Sequence, residues 1–380
     1  MAPPKLTAPI NLYPPPPPLD FAADGKLQGA VATALTELNA ARGAAQKFSL
    51  AIVDLGGGGS RGTLKFGAFK PDEEHYVASA AKVAAMYAAF ALRDMARRFA
   101  SMSAIARITE ETLAAINAAT AGRAPPKRPK QPTLFDQLRA VIDPVIDATA
   151  PAPLFAAVKR AHRVPHYEHI FLNAAAGMPT DFRGDFKRSM HQMIVPSSNP
   201  GAGQVIRAVG YGYLNGALAA ARLFDDKNRS GVWLAGDFVG LYPYARIQSA
   251  NDGLVAQSGS ALAMAKMMSL IVNEAAVDSG ASKQMKELLV EAVTGVDTPF
   301  LTRDGVSEKL RIPLEKITHC KLGFGPLKAG GEVCSEIFRL EGLRSASKAY
   351  AVAYQNVPNF FASLSDMAFM IRRSIEIYET

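Results

Sequence analysis

Strand-like segments stand at both ends of this chain and helical ones fill its middle, and that order constrains the fold more than any single motif. "FSLAIVDL" and "RGTLKFGAF" read as two strands joined by "GGGGS". Far downstream, "KITHCKLGFG", "EVCSEIFRLE" and "SKAYAVAYQNV" read as three more, followed by the amphipathic helix "NFFASLSDMAFMIRRSIEIYE". Strands so separated find partners only in one sheet assembled from both ends, with the first and last helices flanking it and a helical lobe inserted. The expected fold class is α/β (α+β): an antiparallel sheet of N- and C-terminal strands, or a mixed one, plus that all-helical lobe.

The expected organisation follows. Residues 1–24 form a Pro-rich arm, with five prolines at 14–18 favouring an extended conformation packed on or trailing from the fold. Residues 25–78 and 295–380 form the sheet lobe. Residues 79–294 form the helical lobe, interrupted near 122–132 by an exposed basic, Pro-rich loop. A helix over "DGKLQGAVATALTELNAARGA" precedes the first strand, another runs from about Ser79 to Phe99, and helices continue to about Val293.

At 380 residues, 49% hydrophobic and 20% charged, the chain buries a substantial core. Its formal charge of +8 favours anionic ligands only weakly. The basic loop has no interleaved aromatics, so a nucleic-acid partner is not expected. No apolar run reaches the roughly 18 residues of a bilayer crossing, and the start lacks an apolar signal core. The location expected of the chain as written is cytoplasmic, or periplasmic or secreted if a signal has been removed.

Cys320 and Cys334 rule out a disulfide framework and a thiolate-rich metal site. Two buried reduced thiols are expected, with pairing across a hairpin as the alternative. "HRVPHYEH" gathers His162, His166 and His169, but Pro165 breaks the helix that would align the first two, so no metal is expected. The glycine run lacks the Lys-Ser/Thr and following helix of a phosphate loop, and no cofactor is expected.

In "YVASAAKVAAMYAAF", Ser79 and Lys82 are spaced i, i+3 at a helix start, on one face and within the positive field of the helix N-terminus. A lysine partly desolvated beside other cations loses its proton and serves as a base for a serine nucleophile. The same spacing recurs in "SASK", Ser345 to Lys348, where a turn is expected. Order and context separate the two copies.

Three elements follow in the order of the penicillin-recognising serine hydrolases: Ser79 to Lys82 after two strands, Ser197 and Asn199 in "MIVPSSNPGAGQVIRAVG", and Lys321 and Gly323 in "THCKLGFG". "SGSALAMAKMMSLIV" looks like the Thr-Pro-x-Ala-Met-Ala helix of class A β-lactamases. Over most of residues 25–380 the chain resembles a class A β-lactamase-like or penicillin-binding serine hydrolase of the Ser-x-x-Lys superfamily.

That resemblance implies an acyl-enzyme at Ser79 with a small-molecule or peptide acyl substrate. Lys82 would be the general base, and Ser197 a proton relay to the leaving nitrogen. Asn199 would hold a substrate amide, and Lys321 would face a substrate carboxylate. The amides of Ser79 and Phe324, beside Gly323, would form the oxyanion hole. Tyr213 and Asn215 in "YLN" are an alternative second motif, "SAN" at Ser249 to Asn251 another, and "KAG" at Lys328 competes for the third.

The chain departs from the family pattern three times, once in a longer stretch from Lys82 to Ser197 that holds the basic loop and would reshape or cover the site. Leu322 stands where a hydroxyl helps hold the substrate carboxylate, and leucine forms no hydrogen bond. No glutamate lies between Glu168 and Glu274, so the family's deacylating base is missing. Asp237 and Asp252 are the carboxylates expected nearest the site, with Asp252 expected in a loop-closing ion pair. Acylation is therefore expected to outpace deacylation, and a binding protein that keeps the fold without the chemistry is the alternative.

Overall fold

The computed structural model describes residues 11–56, 59–120, 133–149, 152–155, 157–172, 181–295 and 298–380. The basic loop expected at 122–132 and the first ten residues of the arm lie outside the described residues. Among the described residues, no helix is long and apolar enough to cross a membrane.

The fold is mixed α/β. Six strands form the large sheet: β1 (Leu19–Ala23), β2 (Ser49–Asp54), β3 (Gly62–Phe69), β4 (Ile317–Pro326), β5 (Glu332–Glu341) and β6 (Ala349–Pro358), in the order β1-β3-β2-β6-β5-β4. The two halves of the chain meet where β2 pairs antiparallel with β6, Ala51 opposite Ala353. An all-antiparallel sheet is corrected at one edge. Leu19–Ala23, expected as part of the arm, pairs parallel with β3, Phe21 opposite Leu64. The prolines deliver an extended chain to that edge already close to strand geometry.

Helix α1 (Gly25–Arg42) begins where the Asp24 side chain accepts from Leu27 N and ends at Gly43, whose φ of +66° suits a residue without Cβ. Its buried Leu27, Ala30, Val31, Ala34 and Leu38 follow helical spacing, and it packs with the closing helix α6 (Phe361–Glu379) on the sheet. On the side of the helical lobe, α4 (Ala261–Val272) and α5 (Ser279–Val293) cover the strands.

Helix α2 (Lys82–Thr120) is the axis of the helical lobe, and Val83 to Leu92 are buried without interruption. Such a helix has no polar face to spare, which accounts for its alanines: neighbours approach on every side. Helix α3 (Asn199–Val209) packs against it. The expected helix at Ser79 starts later, because Ala78–Ala81 is a 3-10 turn.

The expectation of helices through to Val293 fails over residues 221–260, which form short strand pairs and turns. Glycine and polar residues in "DDKNRSG" and "SANDG" break helical periodicity there. His75–Tyr76 pairs with Gln257–Gly259 just before the 3-10 turn, tying this region to the start of the helical lobe.

The arm is packed against the fold over the residues described. Tyr13 lies 5.3 Å from the Tyr213 ring, and Arg98 donates to Asn11 O. Both cysteines are buried, and neither is in a disulfide. Cys320 lies opposite Phe338 and Cys334 opposite Phe324, so the thiols stand four rungs apart on their hairpin. That is roughly 13 Å along the strands, far beyond disulfide reach.

Candidate active site

Ser79 sits in the 3-10 turn that leads into α2, half-buried, and the residue before it, Ala78, has φ of +46°. Such a backbone is strained for a residue with Cβ, and strain of this kind concentrates at functional sites. Tyr76 N is held by Asn251 Oδ1 at 2.8 Å, while Asn251 Nδ2 donates to Asn356. Asn251 thus fastens the approach to Ser79 to β6, and the "SAN" alternative is structural.

Strand β4 runs directly against this turn. A Cβ on Gly323 would stand 2.1 Å from Val77 O, 2.6 Å from Ala80 N and 3.1 Å from Ser79 N. Only glycine permits that approach, which brings the backbone after Gly323 beside the backbone of Ser79. Phe324, the next residue, is 42% exposed at the strand edge.

Lys82 is completely buried, and a buried ammonium needs partners. Its Nζ donates to Ser197 O at 2.5 Å and to Asn199 Oδ1 at 2.8 Å, with Ser197 Oγ at 3.4 Å. Lys321 Nζ also donates to Ser197 Oγ, at 2.7 Å. Ser197 has φ of +55°, which aims both its carbonyl and its hydroxyl at the lysines. The next residue, Ser198, caps α3 by accepting from Gly201 N, leaving exposed Asn199 at the helix start. Lys82 and Lys321, expected in separate motifs, therefore meet at the Ser197 hydroxyl, and Asn199 joins them through Lys82.

The alternative motifs lie elsewhere. Tyr213 is fully buried against Tyr13, and Asn215 spends its amide on Tyr211 O, Leu234 O and Leu234 N. These two are corrected to core residues. Lys328 is in the β4–β5 turn and binds Asp252 and Leu254 O, so Asp252 does close a loop. Asp237 is completely buried, pairs with Arg207 at 2.9 Å and accepts from Gly240 N and Leu241 N. Both aspartates are thus committed to holding loops.

Phe238, which the sequence reading passed over, has its ring centroid 4.8 Å from Lys82 Nζ. Its φ is +60°, strained like Ala78 and Ser197, and the Arg207–Asp237 pair fixes the loop beside it. An aromatic face attracts the ammonium but neither accepts a proton nor orients a water as a carboxylate would. The signal available in the sequence was the run "GDFVG", one aromatic directly after the acid of a segment bounded by two glycines.

Leu322 is buried and faces the side of β4 opposite to Lys321 and Gly323, across from Glu336. Burial pushes the Glu336 carboxyl up to about 7, against hydrogen bonds from Tyr354 OH and Phe300 N and the charges of Arg303 and Lys321. In the histidine run His162 stacks on Tyr242, and His166 bonds Ala161 O. Among the described residues no group of metal ligands occurs.

No family model matches the chain, and no curated protein does. Among solved structures it is similar to a β-lactamase from Sphaerobacter thermophilus, with 14% identity, 92% of this chain and 97% of that one covered, and a TM-score of 0.44. It is similar also to a β-lactamase from Xanthomonas campestris, at 14% identity, 93% and 98% coverage and a TM-score of 0.43. A halotolerant bacterial β-lactamase gives 11%, 91%, 98% and 0.44. Likeness at this level assigns no chemistry to this chain.

Proposed function

We propose that this chain is a serine acyl hydrolase or acyl transferase that forms an acyl-enzyme at Ser79 on an amide or ester. The observation that carries the reading is the convergence of Lys82 and Lys321 on the Ser197 hydroxyl, with Asn199 bonded to the same Lys82 amine. A neutral Lys82 amine keeps two N–H donors for Ser197 O and Asn199 Oδ1 and turns its lone pair to the Ser79 proton three residues back. Ser79 Oγ attacks the carbonyl carbon as that proton passes to Lys82. The oxyanion is received by the amides of Ser79 and Phe324.

Collapse of the tetrahedral intermediate breaks the bond to the leaving group, whose nitrogen or oxygen takes a proton from Ser197 Oγ, replenished from Lys82. Lys321 supports the charge that develops on Ser197. The amide nitrogen of Asn199 donates to a carbonyl of the substrate. Phe238 over Lys82 supports slow release by water, so the adduct persists or passes its acyl group to a nucleophile other than water. Without a hydroxyl in the middle of the third motif to hold a penicillin carboxylate, peptides, amides and esters suit the site as well as penicillins do.

The test is covalent. The protein is incubated with a reporter penicillin, a set of activated esters and a fluorophosphonate, and its intact mass is followed beside Ser79→Ala. An adduct on wild type alone is expected. No adduct from any probe, with Ser79→Ala matching wild type on every ester, overturns the reading in favour of a pocket that binds without reacting.

A further inference from the structure

The sheet edge opposite the candidate active site holds a second feature. Strand β4, beside Ser79, is one edge of the sheet and β1 is the other, five strand spacings or about 24 Å away. Along β1 a cleft of about 180 Å³ opens between the end of the arm, the turn at residues 221–223 and α4. At ~30 Å³ per water, that is room for about six waters or one small organic molecule.

Its chemistry is uneven. Leu19, Phe21 and Leu223 form apolar walls, while Lys266, from α4, and Arg222 supply cations and Asp20 the one carboxylate. Arg222 and Asp20 pair at 3.3 Å, both mostly exposed, which is a weak and readily exchanged contact. Lys266 differs: it is half-buried, and its ammonium lies 5.5 Å from the Phe21 ring centroid. Among the described residues it makes no hydrogen bond or ion pair. Burial pushes it below the ordinary lysine range, with Asp72 opposing too weakly to restore it. An ammonium drawn out of water and met only by a ring face gains from any anion that reaches it.

We propose that this cleft binds a small carboxylate with an apolar body, an aromatic or branched aliphatic acid, with its carboxylate on Lys266 Nζ and its body against Phe21, Leu19 and Leu223. The cleft carries one net positive charge, which one carboxylate neutralises. Bound there, the ligand ties strand β1 to α4. This site stands apart from any chemistry at Ser79.

The test titrates 4-methylbenzoate into the full chain by calorimetry, with hydrogen exchange to locate it and 4-methylbenzamide as the uncharged probe of the same shape. Saturable binding is expected at millimolar probe or below, with slowed exchange at residues 19–23. Lys266→Met and the amide should each weaken binding about ten- to hundredfold, the worth of a charge-assisted hydrogen bond, and Lys266→Arg should retain most of it. Absent saturation, equal binding of the amide to wild type, or slowed exchange at residues 317–326 instead of 19–23 overturns the proposal. The amide comparison needs no variant and decides even if Lys266→Met fails to fold.

Discussion

Gly323→Ala tests the joint between β4 and the turn that carries Ser79. The new Cβ would stand 2.1 Å from Val77 O, where real contacts do not fall below 3.0 Å, so the strand and the turn must part by about 0.9 Å. Each atom in the way belongs to backbone, so no side chain can swing aside. The retreat moves the amides of Ser79 and Phe324 apart by a similar amount. A misplacement of about 1 Å in such a site costs on the order of a hundredfold in rate. Overpacking adds about 1–3 kcal/mol of destabilisation.

The assay is the rate of Ser79 adduct formation by intact mass with the best ester or fluorophosphonate, beside thermal unfolding. Gly325→Ala is the control two residues on: its Cβ would meet Tyr76 OH at 2.7 Å, a side chain that can move, and the rate should fall by less than tenfold. Adduct formation at the wild-type rate in Gly323→Ala, with unchanged stability, would refute the close approach of strand and nucleophile.

Phe238→Glu puts a carboxylate beside Lys82 and should shorten the lifetime of the ester adduct by at least about a hundredfold, read as mass against time; an unchanged lifetime removes Phe238 from the account of slow release. Asp237→Asn leaves Arg207 without its buried partner and should cost about 3 kcal/mol in denaturant unfolding, near the low end for a buried pair because Arg207 is partly exposed. Burial pushes the Glu74 carboxyl, which accepts from Ser258 Oγ and Gly231 N, up to about 7. An acid raised in the folded state holds its proton there while the unfolded chain has lost it, so stability falls as pH rises from about 4.5 to 7. Glu74→Gln should remove this loss, gaining about 3 kcal/mol on wild type across that window in unfolding curves. Oxidised and reduced protein should have the same disulfide-free intact mass, since Cys320 and Cys334 are four rungs apart; a mass lower by two protons would contradict the strand register.

Much of the fold was legible because hydrophobic period and turn residues agree along β2, β3, β4, β5 and β6, and because Asp24 and Gly43 mark the ends of α1 as caps do. The meeting of Lys82, Ser197, Asn199 and Lys321 was legible only as an order of motifs, since no local pattern tells Ser79 to Lys82 from the decoy at Ser345. What stayed hidden depended on contacts distant in sequence. Strand β1 is too short to show a period, and its partner is chosen by where the prolines deliver it. Residues 221–260 take their shape from the buried Arg207–Asp237 pair and from Asn251, whose partners lie up to 175 residues away. Phe238 reads as an ordinary loop aromatic until the loop is folded over Lys82.

The pairing of β2 with β6 also sets a schedule for synthesis. Ala51 meets Ala353 only after some 300 further residues have been made, which at ~5–20 residues per second takes about 15 to 60 s. Throughout that interval the β2–β3 hairpin leaves the ribosome with the edge of β2 unpaired, and Ser79 lacks the strand that will lie against it. Recruitment of chaperones to the nascent chain should therefore peak before β6 emerges, and a chain stopped at residue 340 should aggregate through its first hairpin.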